Sequence, residues 1–313
     1  MSRSAYILVV IQILFVAMLA LVSTHPVPFV FGRPLLAAMS FWSVGLALVL
    51  ARTGWLALRA DRPLSAFGAG LKDEVPILIR ALKIALLAGT ALALHGWAKS
   101  MMPLIVDFRA DAPLANLDLA IFGQDPWRLF RSDWLMPIYG YAYLLWFPVT
   151  FVTLGFIAFS RRDLRPAVVA FLATLVVCGT MGQYLLPSAG PIFFERMGFG
   201  PRFAELVSTN HFSFNRVSDY LWLHYQARDA AIGTGISAMP SVHVALATWT
   251  ACAAFRLWRP LAIPAGVYAL GIWAASIASG WHYATDGLAG ALLALAFFIL
   301  AERFVPEAKA AES

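Results

Sequence analysis

His243, His282 and Asp286 are the side chains a covalent phosphoryl-transfer centre needs. One imidazole attacks phosphorus, a carboxylate holds that imidazole in one tautomer and stabilises its positive charge, and a second imidazole protonates the departing oxygen. With an ordinary pKa of about 6.5, histidine can do either job near neutral pH. His282 and Asp286 are four residues apart and stay close even across a tight turn, so they read as the attacking imidazole and its carboxylate. By elimination His243 is the acid. In "GISAMPSVHVALATW" (235–249), Pro240 suits the first turn of a helix, where its missing N–H costs nothing. The amides of Ser241, Val242 and His243 would then point outward without helical partners, and with the positive helix end they form an anion site.

These residues can meet only if the right elements carry them. The chain is 61% hydrophobic and 13% charged, with a mean hydropathy of +0.75, far outside the range of a soluble domain. It reads as an all-α polytopic membrane helix bundle. Apolar runs at about 5–24, 35–58, 76–98, 134–159, 166–187, 240–256, 260–280 and 284–304 predict about eight transmembrane helices. Basic residues gather in three connections: Arg52, Arg59, Arg62 and Lys72; Arg161, Arg162 and Arg165; Arg256 and Arg259. All three fall on one side of an eight-helix threading, which the positive-inside rule makes the cytoplasm, with both termini inside. The sixth helix then runs inward from His243, the seventh returns and delivers His282, and the eighth begins near Asp286. Topology thus brings the three to one membrane level.

The domain reading is three N-terminal helices (1–98), an outer interfacial segment (99–133), a catalytic bundle (134–304) with an outer loop at 188–239, and a disordered tail (305–313). Asp107, Asp111, Asp118, Asp125 and Asp133 suit the outer side, and Trp127 and Trp134 suit headgroup level. The 188–239 connection is long enough to be functional. A net charge of +6 follows from the topology and calls for no nucleic acid. Cys178 and Cys252 lie in separate apolar runs, which supports neither a disulfide framework nor a metal site. His25, His95, His211 and His224 read as headgroup or backbone partners. Tyr141, Tyr143 and Trp146 read as a helix-packing stripe.

"MPSVH" (239–243) and "GWHYATD" (280–286) resemble the second and third motifs of the type-2 phosphatidic acid phosphatase superfamily, usually P-S-G-H and S-R-x5-H-x3-D. The bulky residue before the first histidine and the His-Tyr-x-x-Asp form are more similar to the branch containing inositol phosphorylceramide synthase. "NLDLAIFGQDPWRLF" and "LPSAGPIFFER" look like that branch too, so the resemblance covers roughly 116–300. It implies that His282 becomes phosphohistidine, Asp286 orients it, His243 protonates the leaving group, and Ser241 with its neighbouring amides holds phosphate oxygens. The chain departs from the pattern where Ser276 replaces the third-motif arginine. It also lacks the first motif, K-x6-R-P: Arg165-Pro166 is preceded by Ala158 in place of the lysine, and Arg165 lies on the wrong side. A pentavalent transition state still needs a cation. The outer loop offers Arg196, first because it follows the family-like Gly-Pro segment, then Arg216, with Arg202 and Arg228 behind.

The resulting expectation is an integral protein of a bacterial inner or cell membrane, facing the periplasm or exterior. It acts on a lipid phosphate without metal or other cofactor, its partners being substrate and membrane lipid, with no obligate protein partner evident. Water as acceptor makes it a lipid phosphatase. Ceramide or another alcohol makes it a head-group transferase. A transporter would place ionisable residues at helix centres, whereas here they gather at one end. A scaffold leaves the converging His, His and Asp unexplained, and membrane embedding disfavours a vanadate haloperoxidase.

Overall fold

The computed structural model describes residues 1–23, 29, 32–229 and 233–305. His25 and the expected tail beyond Val305 lie outside the described residues. The helices are α1 (Arg3–Val22), α2 (Gly32–Ala57), α3 (Pro63–Ile105), α4 (Asp111–Phe122), α5 (Trp127–Phe130), α6 (Leu135–Leu144), α7 (Trp146–Phe159), α8 (Arg165–Ala173) and α9 (Gly182–Leu185), then α10 (Ala204–Thr209), α11 (Phe212–Ala227), α12 (Val242–Leu257), α13 (Ala262–Ala278) and α14 (Ala284–Phe304). Among the described residues there is no strand. An all-helical answer follows from composition, because a helix satisfies its backbone polar groups internally where no water can.

All eight expected apolar runs are helical, but not all are full crossings. Among the described residues six helices are long and apolar enough to span, or seven if α6 and α7, bent by 44° to each other, count as one crossing. Pro148 explains the bend: it removes the hydrogen bond to the carbonyl of Leu144, and its ring crowds that carbonyl. α12 has 16 residues, about 24 Å, and is the short one. It also starts at Val242 with Ser241 as N-cap, so Pro240 precedes the helix instead of opening it. α8 and α9 are joined through a π-helical stretch, Thr174–Met181, where the Thr180 hydroxyl reaches the Leu175 carbonyl five residues back.

α12 sits inside, packed against α7, α8, α13 and α14. Small residues allow this: Ala245, Ala247 and Ala253 are buried, and Gly290 of α14 lies so close to the Ser241 carbonyl that a Cβ would overlap it. Trp249, fully buried, ties α12 to α8 by donating to the Ala167 carbonyl at 2.8 Å.

α3 is 43 residues long, about 65 Å, and runs well past the expected 76–98 at both ends. Near its start Glu74 is buried and pairs with Arg52 and Arg161. Arg162 donates to the carbonyls of Arg256 and Leu257. The three basic connections therefore meet at one end of the bundle, and Met1, Leu164, Leu257 and Val305 share one apolar cluster there. The histidine motifs lie at the other end.

Candidate active site

The two motif loops are locked together by backbone. The amide of Ser241 donates to the carbonyl of Asp286 at 3.0 Å, joining the two, while within the second loop the amide of His282 donates to the carbonyl of Ser276 at 3.1 Å. Segment 188–192 is wedged between them. Ser188 receives the amide of Ala238 on its carbonyl at 2.8 Å and that of Met239 on its hydroxyl at 3.0 Å. On the other side the Ile192 amide donates to the Gly280 carbonyl at 2.8 Å. Gly190 has φ +97°, and a Cβ there would stand 2.6 Å from the Trp281 carbonyl oxygen, so only glycine fits.

His282 is 3% exposed. Its Nδ1 lies 2.8 Å from the Ala238 carbonyl and 3.6 Å from Asp286 Oδ2. A carbonyl can only accept, so Nδ1 carries the hydrogen and Nε2 the lone pair. The expected i, i+4 partnership is thus an electrostatic contact, while the closer partner is a backbone oxygen from the other motif. Asp286 Oδ2 accepts the Tyr283 amide at 2.9 Å, as the third residue of a capping box.

His243 lies 5.8 Å from His282, centroid to centroid. Tyr143 stacks on one side at 4.7 Å and Trp146 packs at 4.4 Å. Trp146 Nε1 also donates to the His243 carbonyl at 3.0 Å. The bend at Leu145 is what lets residues on either side of it converge on one ring. Of the aromatic stripe, only Tyr141 is largely exposed, at 71%. Ser241 is fully buried, and its hydroxyl accepts the Val244 amide at 3.4 Å as a helix cap. With the Ser241 amide also taken, the first turn keeps the amides of Val242 and His243 for an anion.

A cavity of about 560 Å³ reaches His243. Its walls are largely apolar: Pro137, Tyr141, Tyr143 and Leu144 from α6, Phe214, Val217 and Leu221 from α11, and Trp281. His211 and Ser213 also line it, together with Lys99 from α3. Arg196 and Arg216 do not. Arg196 pairs with Asp219 at 2.5 Å over the Trp222 ring, and Arg216 is exposed. Arg202 holds Asp125 at 2.6 Å, and Arg228 ends α11 at φ 53°. Arg165 pairs with Asp163 at the far end. At Ser276 the side chain is buried and its hydroxyl donates to the Trp273 carbonyl at 2.7 Å.

Two carboxylates on α4 hold the scaffold. Asp111 accepts the amides of Ala189 and Gly190 at 2.8 Å each and the Tyr283 hydroxyl at 2.9 Å. Asp118, two turns on, accepts the amides of Ala284 at 2.6 Å and Thr285 at 3.1 Å. Burial raises both carboxyls above the usual range, and these hydrogen bonds offset part of the rise. The sequence assigns both only to the outer side, and the fold buries them; Trp127, expected at headgroup level, is buried too. The immediate neighbours of the two aspartates do not mark them; the seven-residue spacing, which puts both on one face of α4, is the signal that could have.

A family model described as the PAP2 superfamily matches residues 117–300, which includes both histidine motifs and α4 from its middle onward. No curated protein and no solved structure matches the chain.

Proposed function

The chain belongs to the PAP2 superfamily, and from that premise we propose that it is a membrane-embedded phosphatase or phosphotransferase of lipid phosphate esters, working through a phosphohistidine at His282. His282 Nε2 attacks phosphorus, the bond from phosphorus to the alcohol oxygen breaks, and His243 gives that oxygen its proton. In the second half His243, now a base, takes a proton from water or an acceptor alcohol. The resulting oxygen displaces His282, and the N–P bond breaks. Asp286 stabilises the charge on the phosphorylated ring.

The observation that carries this reading is the fixed tautomer of His282, its Nδ1–H committed to the Ala238 carbonyl, with a second imidazole 5.8 Å away at an apolar-walled cavity. That wall composition suits a donor with hydrocarbon attached to its phosphate. The basic end of the bundle would face the cytoplasm, which puts the cavity at the outer leaflet. A diacylglycerol or polyprenyl phosphate fits as donor.

Transfer to an alcohol such as ceramide is the second reading, favoured by the apolar walls of the cavity, which suit a hydrocarbon-bearing acceptor as well as the donor. The two are separated by supplying purified protein with labelled phosphatidic acid and polyprenyl phosphate, with and without acceptor alcohols, and resolving the lipid products. Free phosphate alone means hydrolysis, and a new phosphodiester or phosphomonoester of the acceptor means transfer. No product from any donor, or equal product from His282→Ala, refutes both.

A further inference from the structure

Phosphoryl transfer at His282 needs a cation for the phosphate oxygens, and none of the loop arginines reaches the cavity. We propose that Lys99 of α3 supplies it, binding the nonbridging oxygens of the substrate beside His243. This rests on the phosphotransfer reading above and adds a residue from helices that lie before the family-matched segment, which begins at residue 117.

Four observations converge on Lys99. It lines the same cavity as His243, the ring that the proton-donor role falls to. Among the described residues no carboxylate pairs with it, whereas three arginines of the outer half are neutralised: Arg128 by Glu205, Arg196 by Asp219 and Arg202 by Asp125. A half-buried ammonium without a counter-ion is costly, and an anionic substrate in the cavity would complete it. Its stem is also held in place. Gly235, at φ +98°, passes so close that a Cβ there would lie 2.7 Å from Lys99 Cγ and 2.8 Å from its carbonyl oxygen. The chain leading into the His243 motif therefore packs directly on Lys99. Finally, Ser276 cannot serve, since its side chain is buried and tied to its own helix.

The ammonium's part is electrostatic and needs no proton transfer: it donates hydrogen bonds to the equatorial oxygens as their charge grows. A preorganised charge of this kind costs no reorganisation when the bond breaks.

The test uses the full chain in lipid nanodiscs, with orthovanadate as the probe of the pentavalent state and dioctanoyl phosphatidic acid as substrate. Lys99→Met should weaken vanadate inhibition at least 100-fold and lower kcat/KM by roughly 100- to 1,000-fold. Lys99→Arg, which keeps the charge, should hold both within about 20-fold of wild type. If Lys99→Met fails to fold, Lys99→Gln carries the same comparison. A folded neutral variant that binds vanadate within threefold of wild type overturns the assignment while leaving His282 chemistry intact. Wild type that neither turns over the lipid nor binds vanadate overturns the phosphotransfer reading, and Lys99 with it.

Discussion

Replacing Asp286 by Asn separates two ways a carboxylate can help an attacking histidine. The change is nearly isosteric, and the amide oxygen can still accept the Tyr283 N–H, so the start of α14 stays capped. What disappears is the negative charge 3.6 Å from His282 Nδ1. Coulomb's law at that separation gives about 1 kcal/mol in a water-like surrounding and about 5 kcal/mol at an effective dielectric constant of 20. The phosphorylated, positively charged ring loses that stabilisation, which predicts a fall in kcat of roughly 10- to 3,000-fold. The tautomer should survive, because Nδ1–H is committed to the Ala238 carbonyl at 2.8 Å. Where a carboxylate itself sets the tautomer, as in a serine-protease triad, the same substitution costs about 10⁴. The assay is kcat at saturating lipid, with 15N spectra of the histidine ring to read the tautomer. A loss beyond 10⁴ with the hydrogen moved to Nε2 would refute the role given to Ala238. A rate within twofold of wild type would refute any role for the charge.

Two further outcomes follow from the scaffold. Gly190→Ala adds a Cβ at φ +97°, where it would stand 2.6 Å from the Trp281 carbonyl oxygen. Where φ and space allow it such a change stabilises, but here it should destabilise by more than about 1 kcal/mol and lower the thermal midpoint in detergent, and an unchanged midpoint would contradict the wedge between the motif loops. Asp118→Asn weakens the cap on Ala284 and Thr285, costing about 1 kcal/mol. Burial raises the Asp118 carboxyl, so the folded state binds its proton more tightly than the unfolded chain. Stability from this group is therefore highest below the ordinary value of about 3.9, declines as pH rises through the raised folded value, and is flat above it. Midpoints of wild type and variant measured from pH 4 to 7 should differ in slope over that window, and parallel curves would show that Asp118 does not titrate there.

The membrane bundle and both histidine motifs are legible in the chain because each is a local pattern: apolar runs of spanning length, and residues that topology carries to one end. What escaped depends on distant partners. Asp111 is bound to segment 189–190 and to Tyr283, and Asp118 to the start of α14, so nothing next to either aspartate marks it as buried. The apolar run stops at 98, which puts Lys99 at the head of the expected outer segment 99–133, whereas α3 continues to Ile105. Of the outer-loop arginines expected to serve the phosphate, none lines the cavity that Lys99 shares with His243. The bend at Leu145 is a subtler case: Pro148 signals it, but only the fold reveals that Tyr143 and Trp146 flank it to enclose His243. Ser241 likewise matches a phosphate-binding motif in type, while its hydroxyl caps α12.

The central claim is a covalent phosphate on His282, and trapping it tests that most directly. Purified protein is mixed with 32P-labelled dioctanoyl phosphatidic acid, quenched in milliseconds with alkali, and digested for mapping. The account predicts an acid-labile, alkali-stable label on the peptide carrying His282, absent from His282→Ala, and accumulating in His243→Gln if leaving oxygens of low basicity are supplied. Turnover without any such label, or a label on another residue that persists in His282→Ala, would contradict it.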